Sequence, residues 1–458
     1  MITPLKFSVL AQQFGGDICH DDVSFQSVSI NTREMVAGDV FVAVKGERFD
    51  AHDFIIDAQA KGAKALVVEK EVVDCGLPQW VVSDTTKALG HIAHAQRGHF
   101  KGQLVAITGS SGKTTVKGML ESILRAEVAD GVFATKGNLN NHIGVPLSLL
   151  ALREKHRYAV IEMGASAVGE IDYLTQMASP DVALINNVMS AHVEGFGSID
   201  NIAKGKGEIY DGLSNDGVAI INKADKYSPQ WLTQSSHRKV ITFSAEEKIL
   251  ADITANEIQQ HNGCAQFNLR LLEKVLPVSL SVLGLHNVAN ALAAASCAEA
   301  MNISHQSIVD GLDSFCGVAG RLQCLPAING ATVIDDSYNA NPMAFCAAID
   351  VLAAMTATTV LVMGDMGELG DESDAAHRQV AEYAAAKNIN HLLTVGKQSK
   401  KASLVFSGDK QHFNDIDQLI AIALEQANSN TVFLIKGSRS ARMDRVVEAL
   451  TSRGISSC

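Results

Sequence analysis

Short apolar runs alternate with longer amphipathic stretches along most of this chain. Leu104 to Ile107 is one such run. It stops at a loop of small residues that holds Gly109 and Gly112. Beyond the loop, Val116, Met119, Leu120, Ile123 and Leu124 recur at helical spacing. The pattern predicts a strand, a glycine turn and a helix. Further strands are expected at Tyr158 to Met163, Val182 to Asn186, Val218 to Asn222 and Lys239 to Phe243. Helical patterns separate several of them, which predicts a mostly parallel sheet with helices on both faces. Residues 252 to 284 break the rhythm and suggest a β appendage. His286 to Met301 is alanine-rich and reads as one helix. From about residue 314 the alternation resumes, with strands at Ala331 to Ile334, Thr358 to Met363, Leu392 to Val395 and Val432 to Ile435, and a helix over Ile416 to Ala427. Before residue 83, shorter runs at Val40 to Val44, Ala65 to Val68 and Trp80 to Val82 predict a small separate domain. The fold class is α/β throughout.

Composition narrows the class. At 458 residues the chain exceeds one ordinary core. Hydrophobic content of 47% with 36 glycines and 8 prolines suits a soluble α/β protein. Thirty-eight basic and 50 acidic residues leave a net charge of −12, which argues against a general binder of nucleic acid or anionic membrane. No run of 18 apolar residues is present, so no membrane span is expected. The N-terminal M-I-T-P-L-K-F-S-V-L lacks the layout of a secretory signal. Eight cysteines without a C-x-x-C pair read as thiols in a reducing compartment, so a cytoplasmic location is expected.

The loop after Leu104 to Ile107 is the first candidate for chemistry. Thr108, Gly109, Ser110, Ser111, Gly112, Lys113 and Thr114 form T-G-S-S-G-K-T. Glycines let several amide N–H groups face one anion, and the helix N-terminus adds positive potential there. A lysine reaches terminal phosphates, and a threonine hydroxyl can hold magnesium. The general pattern has a glycine where this chain has Ile107, and a glycine turn with an exposed lysine gives the same letters.

Four more clusters follow predicted strand ends or open a predicted helix. Lys136 to Pro146, K-G-N-L-N-N-H-I-G-V-P, offers neutral donors and acceptors that could orient a polar substrate, although Asn and Gly also dominate plain turns. Glu162 ends A-V-I-E, where a carboxylate suits magnesium or caps a helix. His192 follows another strand and is a ligand, an acid–base group or structural. Lys204 and Lys206 are two apart, so on a helix only one of them enters a site. Later, Asn287 opens the alanine-rich helix, Arg321 ends V-A-G-R, and Asp336 lies in D-D-S-Y-N-A-N-P. Asn287 could read an adenine edge, Arg321 clamp phosphate and Asp336 accept from ribose. Ser337 or Asn339 would cap the following helix. G-D-M-G-E-L-G (364–370) and K-G-S-R-S (436–440) add charged groups on the same face. In the N-terminal region Arg33, Lys45 and Arg48, with Phe49 and His52, form either a pocket for an anionic ring-bearing ligand or a solvated turn.

Taken in order, these motifs resemble the Mur ligases, the ATP-dependent amide-forming enzymes of peptidoglycan synthesis. T-G-S-S-G-K-T, G-N-L-N-N-H-I-G-V-P, A-H-V-E-G-F-G-S, A-K-G-K-G-E-I-Y, G-L-H-N-V-A-N-A and D-D-S-Y-N-A-N-P carry the likeness across nearly the whole chain. The family's phosphate loop also lacks the early glycine. The N-terminal N-T-R and F-V-A-V-K-G-E-R-F-D-A-H-D-F, with the two C-terminal loops, are similar to the branch that adds D-alanyl-D-alanine. The resemblance implies three domains: 1–83 for the UDP-sugar peptide, 84–313 for ATP and a Rossmann-like 314–458. It implies ATP and Mg2+ as cofactors, and UDP-N-acetylmuramoyl-tripeptide and D-Ala-D-Ala as substrates of a monomer. Residue by residue, Lys113 would contact the β/γ-phosphates, and Thr114, Glu162 and His192 the metal. Lys206 matches the lysine the family carries as a carbamate, an anion that can ligate the magnesium. Asn287, Arg321 and Asp336 would grip ATP, the last two on domain closure. Thr32, Arg33, Lys45 and the Phe49-to-His52 turn would help hold the uridine nucleotide, and Asn138 and Asn141 the substrate. Two departures stand out: Ala191 precedes the histidine where some relatives have an acid, and Gly205 sits inside the helix expected around Lys206.

Overall fold

Leu104 to Ile107 are fully buried, as a parallel strand covered on both faces requires. In the computed structural model, which describes residues 1–46, 49–189, 193–261, 263–367 and 369–451, they form the strand Gln103–Thr108. Tyr158–Glu162 pairs with it in parallel on one side and Val182–Ile185 on the other. Val132–Ala134 lies outside the former, and Val218–Asn222 and Lys239–Ser244 outside the latter. The chain thus runs from the central strand to one edge, then to the other side. Ligands bind in such sheets at that reversal, beyond the carboxyl ends of the strands. Those ends carry Thr108, Glu162 and Asn186.

The chain divides into two compact units, 1–254 with 292–311, and 255–291 with 312–458. In the first, the helix Lys113–Val128 buries Val116, Met119, Leu120, Ile123 and Leu124, the face the periodicity predicts. Its return segment packs tightly: a Cβ on Gly311 would stand 2.3 Å from Ile123 Cα, so no side chain fits there. The first unit also holds a five-stranded sheet in the order Asp17–Cys19, Gln79–Val81, Ala65–Val68, Val40–Val42, Val28–Ser29. Thr85–His99 is a helix that the apolar pattern does not single out, because His91, His94 and Gln96 interrupt it. Gln96 is buried and satisfied by Ile2 N–H at 2.8 Å and Thr3 O at 2.6 Å.

The second unit holds the expected β appendage as an antiparallel hairpin, Cys264–Leu271 with Lys274–Leu283. It also holds a six-stranded sheet in the order Gln323–Pro326, Thr332–Asp336, Thr431–Lys436, Thr358–Gly364, His391–Val395, Asp409–Phe413. Only the first of these pairs is antiparallel. Helices Pro342–Ala353, Ser373–Ala386 and Ile416–Gln426 join the strands.

Candidate active site

The phosphate loop is clasped from the neighbouring strand end. Ser110 N–H donates to Asn187 O and Ser111 N–H to Asn187 Oδ1, both at 2.9 Å. Asn186 Nδ2 donates to Ser111 O at 3.0 Å. A Cβ on Gly109 would meet Asn186 Cβ at 3.1 Å, so the close approach favours glycine. Lys113 opens the helix and rests its Nζ on Gly109 O at 2.7 Å. Thr114 follows in the first helical turn, where N–H groups and the macrodipole favour an anion.

Glu162 ends its strand almost wholly buried. Oε1 accepts from Asn140 Nδ2 at 2.9 Å. Oε2 is buried without a hydrogen-bond partner, and Lys117 Nζ stands 3.7 Å away. Lys117 in turn donates to Thr135 O at 2.7 Å, and Thr135 Oγ1 accepts Glu162 N–H at 3.0 Å. An unfilled carboxylate oxygen beside a phosphate loop fits magnesium, which takes one or two carboxylates and completes its shell with phosphates and water. Among the described residues no cluster of three His, Cys, Asp or Glu side chains forms a cage. His192 lies outside the described residues, as does Arg48.

Lys206 and Lys204 share the helix Ile199–Gly207, and only Lys206 is buried. Burial lowers its pKa to about 7, with the Lys113 charge adding to the effect. Gly205, the departure from the expected spelling, has a local cause. A Cβ there would stand 2.7 Å from Phe196 Cε1, and the same ring lies 5.9 Å from Lys206 Nζ.

The asparagine loop separates two roles. Asn140 reaches Glu162, whereas Asn141 Oδ1 accepts from Gly144 N–H at 2.9 Å and Ile143 N–H at 3.2 Å, capping the helix Gly144–Leu150. Asn138 is exposed. In the small sheet's region, Thr32 O accepts from Lys61 Nζ at 2.5 Å, Arg33 is exposed, and the main chain of Lys45 pairs with that of Asp50 in an isolated antiparallel β-bridge. Phe49 is 75% exposed.

The second unit gathers its own constellation at strand ends. Register places Asp336 opposite Lys436, and Lys436 Nζ donates to Asp336 Oδ2 at 2.6 Å with both buried. Burial pushes the Asp336 carboxyl up, and Lys436 opposes it. Leu322 N–H donates to Asp336 Oδ1 at 3.2 Å. The Arg321 guanidinium lies 4.1 Å from the Tyr338 ring centre, with Arg439 at 5.9 Å. Asn287 is buried, donating to Leu283 O and accepting from Asn290 Nδ2, both at 2.8 Å. The cap of Pro342–Ala353 is Asn341, which accepts from Ala344 N–H at 2.8 Å, rather than Ser337 or Asn339. Ser337 is instead held by Asp335 at 2.6 Å, and Asn339 Oδ1 accepts from Ala340 N–H at 2.8 Å.

Sequence reasoning missed Asn140, Lys117, Asn187 and the pairing of Lys436. Lys117 had a signal, since a lysine stands on the face shared by Val116, Leu120 and Leu124. Asn187 and Lys436 had none beyond their strand-end position.

A sheet that reverses at a glycine-rich loop, a buried carboxylate and a buried lysine of lowered pKa are arranged as in an enzyme site. Three family patterns match in order: the Mur ligase family catalytic domain over 24–97, the Mur ligase middle domain over 107–298, and the Mur ligase glutamate ligase domain over 320–439. The chain belongs to the Mur ligase family. Within it, the chain is 43% identical over 452 residues to the UDP-N-acetylmuramoyl-tripeptide–D-alanyl-D-alanine ligase of Escherichia coli, covering 98% of this chain and 99% of that one. Two solved structures are similar. MurF from Acinetobacter baumannii has a TM-score of 0.89 at 35% identity, covering 98% and 99%. MurF ligase from Thermotoga maritima in complex with ADP has a TM-score of 0.81 at 29% identity, covering 93% and 97%.

Proposed function

We propose that this protein joins D-alanyl-D-alanine to UDP-N-acetylmuramoyl-tripeptide at the expense of ATP, in the cytoplasm and as a monomer. A free carboxylate is a poor acyl donor. Its oxygen attacks the γ-phosphorus of ATP, ADP leaves, and an acyl phosphate forms. The dipeptide amine then attacks the acyl carbon, loses a proton, and expels phosphate. Bringing two anions together needs positive charge at the phosphates. Lys113, freed from Gly109 O, supplies it, and the loop N–H groups hold the β-phosphate. Thr114, Glu162 and His192 would hold magnesium, which screens the phosphoryl oxygens. Lys206 is suited to become a carbamate, because a pKa of about 7 leaves much of its amine neutral and able to take up carbon dioxide. Asn287, Arg321 and Asp336 with Lys436 would bind the nucleotide, and Thr32, Arg33 and Lys45 the uridine end. Asn138 would contact the sugar peptide, as would Asn141 through the turn it caps. The proposed regions are 1–83 for that substrate, 84–313 for ATP, and 314–458 to complete the ligase.

The observation that carries this reading is the buried Glu162 Oε2, without a hydrogen bond, beside the phosphate loop. Likeness over almost the whole length to the Escherichia coli enzyme supports the choice of substrates. Phosphate release from ATP should require both UDP-N-acetylmuramoyl-tripeptide and D-Ala-D-Ala. Release that ignores both would instead mark a nucleotide-driven switch.

A further inference from the structure

The free edge of the first unit's sheet carries a feature the proposed reaction does not use. Val132–Ala134 ends that sheet and is paired on one side only, so one row of its main-chain groups faces outward. A cavity of about 570 Å³ opens along this edge, within the range of small-ligand sites. Its wall carries Arg125, Lys136, Arg153 and His156 against one acid, Glu121, in a chain of net charge −12. That acid is already used: Arg125 donates to Glu121 Oε1 from Nε at 3.0 Å and from Nη2 at 2.7 Å.

Arg153 and His156 are ordered by their own chain. Arg153 Nη1 donates to Leu150 O at 3.0 Å and Leu152 O at 2.8 Å, which fixes one end of its guanidinium. Arg153 N–H donates to His156 Nδ1 at 3.0 Å, so the neutral ring carries its proton on Nε2. Burial, with Lys155 and Arg153 nearby, lowers the His156 pKa and keeps the ring in that neutral donor form. Phe133 packs against it at 5.6 Å between ring centres. Ordered donors lose little freedom on binding, and guanidinium groups match phosphate oxygens two at a time. A cation would be repelled here, and an apolar ligand would strip water from charged groups without replacing it.

We propose that this edge pocket binds a phosphorylated small molecule at a site separate from the phosphate loop. The same wall includes Thr135, which holds Glu162 N–H and Lys117, so the pocket adjoins the second layer of the active site.

The test uses inorganic pyrophosphate without metal, titrated calorimetrically into the full-length Lys113→Ala protein, whose phosphate loop is disabled. One site per chain is expected, with affinity that falls as salt rises. Adding Arg125→Gln and Arg153→Gln should weaken it by about tenfold or more. Those two changes, made with Lys113 intact, should leave phosphate release at saturating substrates unchanged. Lys136→Gln, on an exposed side chain, should likewise weaken pyrophosphate binding should the Arg153 change disturb folding. No heat at millimolar pyrophosphate, or an equal affinity after the cationic groups are removed, overturns the proposal.

Discussion

The two charged constellations differ in how complete they are. In the first unit, groups are left unsatisfied or unsettled. Glu162 Oε2 has no hydrogen bond and only the looser ion pair with Lys117 at 3.7 Å, Lys206 is driven toward neutrality, and Lys113 leans back on its own loop. In the second unit, charges are already matched. Lys436 holds Asp336 at 2.6 Å, and Arg321 lies over Tyr338. Buried charge without a full set of partners is costly, and it persists where a ligand supplies the remainder. The first constellation is therefore open to a ligand, whereas the second holds a buried pair that is formed before the nucleotide arrives. Substitutions in the first should strike turnover alone, and those in the second should strike stability as well as turnover.

The largest effect expected is from Lys113→Ala, with phosphate release falling by about a thousandfold while the unfolding temperature stays near wild type. Normal turnover in that variant would sink the assignment of the loop. Next comes Asp336→Ala, which leaves Lys436 charged and buried. It should destabilise the fold by about 3–5 kcal/mol in urea titrations, whereas Asp336→Leu with Lys436→Met should recover much of the loss. An Asp336→Ala protein as stable as wild type would reverse the contrast between the units.

Lys206 gives a pH signature. Its ordinary pKa is 10.5 and its folded value about 7. Between those values the unfolded chain holds the proton and the folded one does not, so stability rises with pH across the window. The slope approaches about 1.4 kcal/mol per unit. Lys206→Met should flatten that rise, and an unchanged slope would place the lysine's amine in water. The smallest effect separates two neighbours in one loop. Asn141→Ala should cost about 1 kcal/mol of stability through the lost cap and leave most turnover. Asn140→Ala should do the opposite.

Much of the fold was legible because parallel strands covered on both faces must be apolar throughout. Leu104 to Ile107 and Val432 to Ile435 are such runs. Gln323–Pro326 and Asp409–Phe413 escaped because edge strands carry no such demand, and Val132–Ala134, although apolar, because three residues are too short a run to stand out. The phosphate loop and Glu162 followed from strand ends; helical period admitted only one of Lys204 and Lys206 to a site, and resemblance to the family picked Lys206. The pairing of Asp336 with Lys436 did not follow from any of these, since it arises from the register of strands far apart in the chain. Asn140 could not be told from Asn141 by type, because both offer the same amide and only the turn decides which one reaches Glu162.

The return of residues 292–311 to the first unit has a consequence for synthesis. A ribosome delivers the phosphate loop early, yet the stretch of helix at Ile123 lacks its contact with Gly311 until that residue has emerged. A chain cut after residue 254 would keep every motif of the nucleotide loop and still leave that stretch of helix bare. Such a fragment should cling to chaperones, and the nascent protein must wait for its own later third before its first core can close.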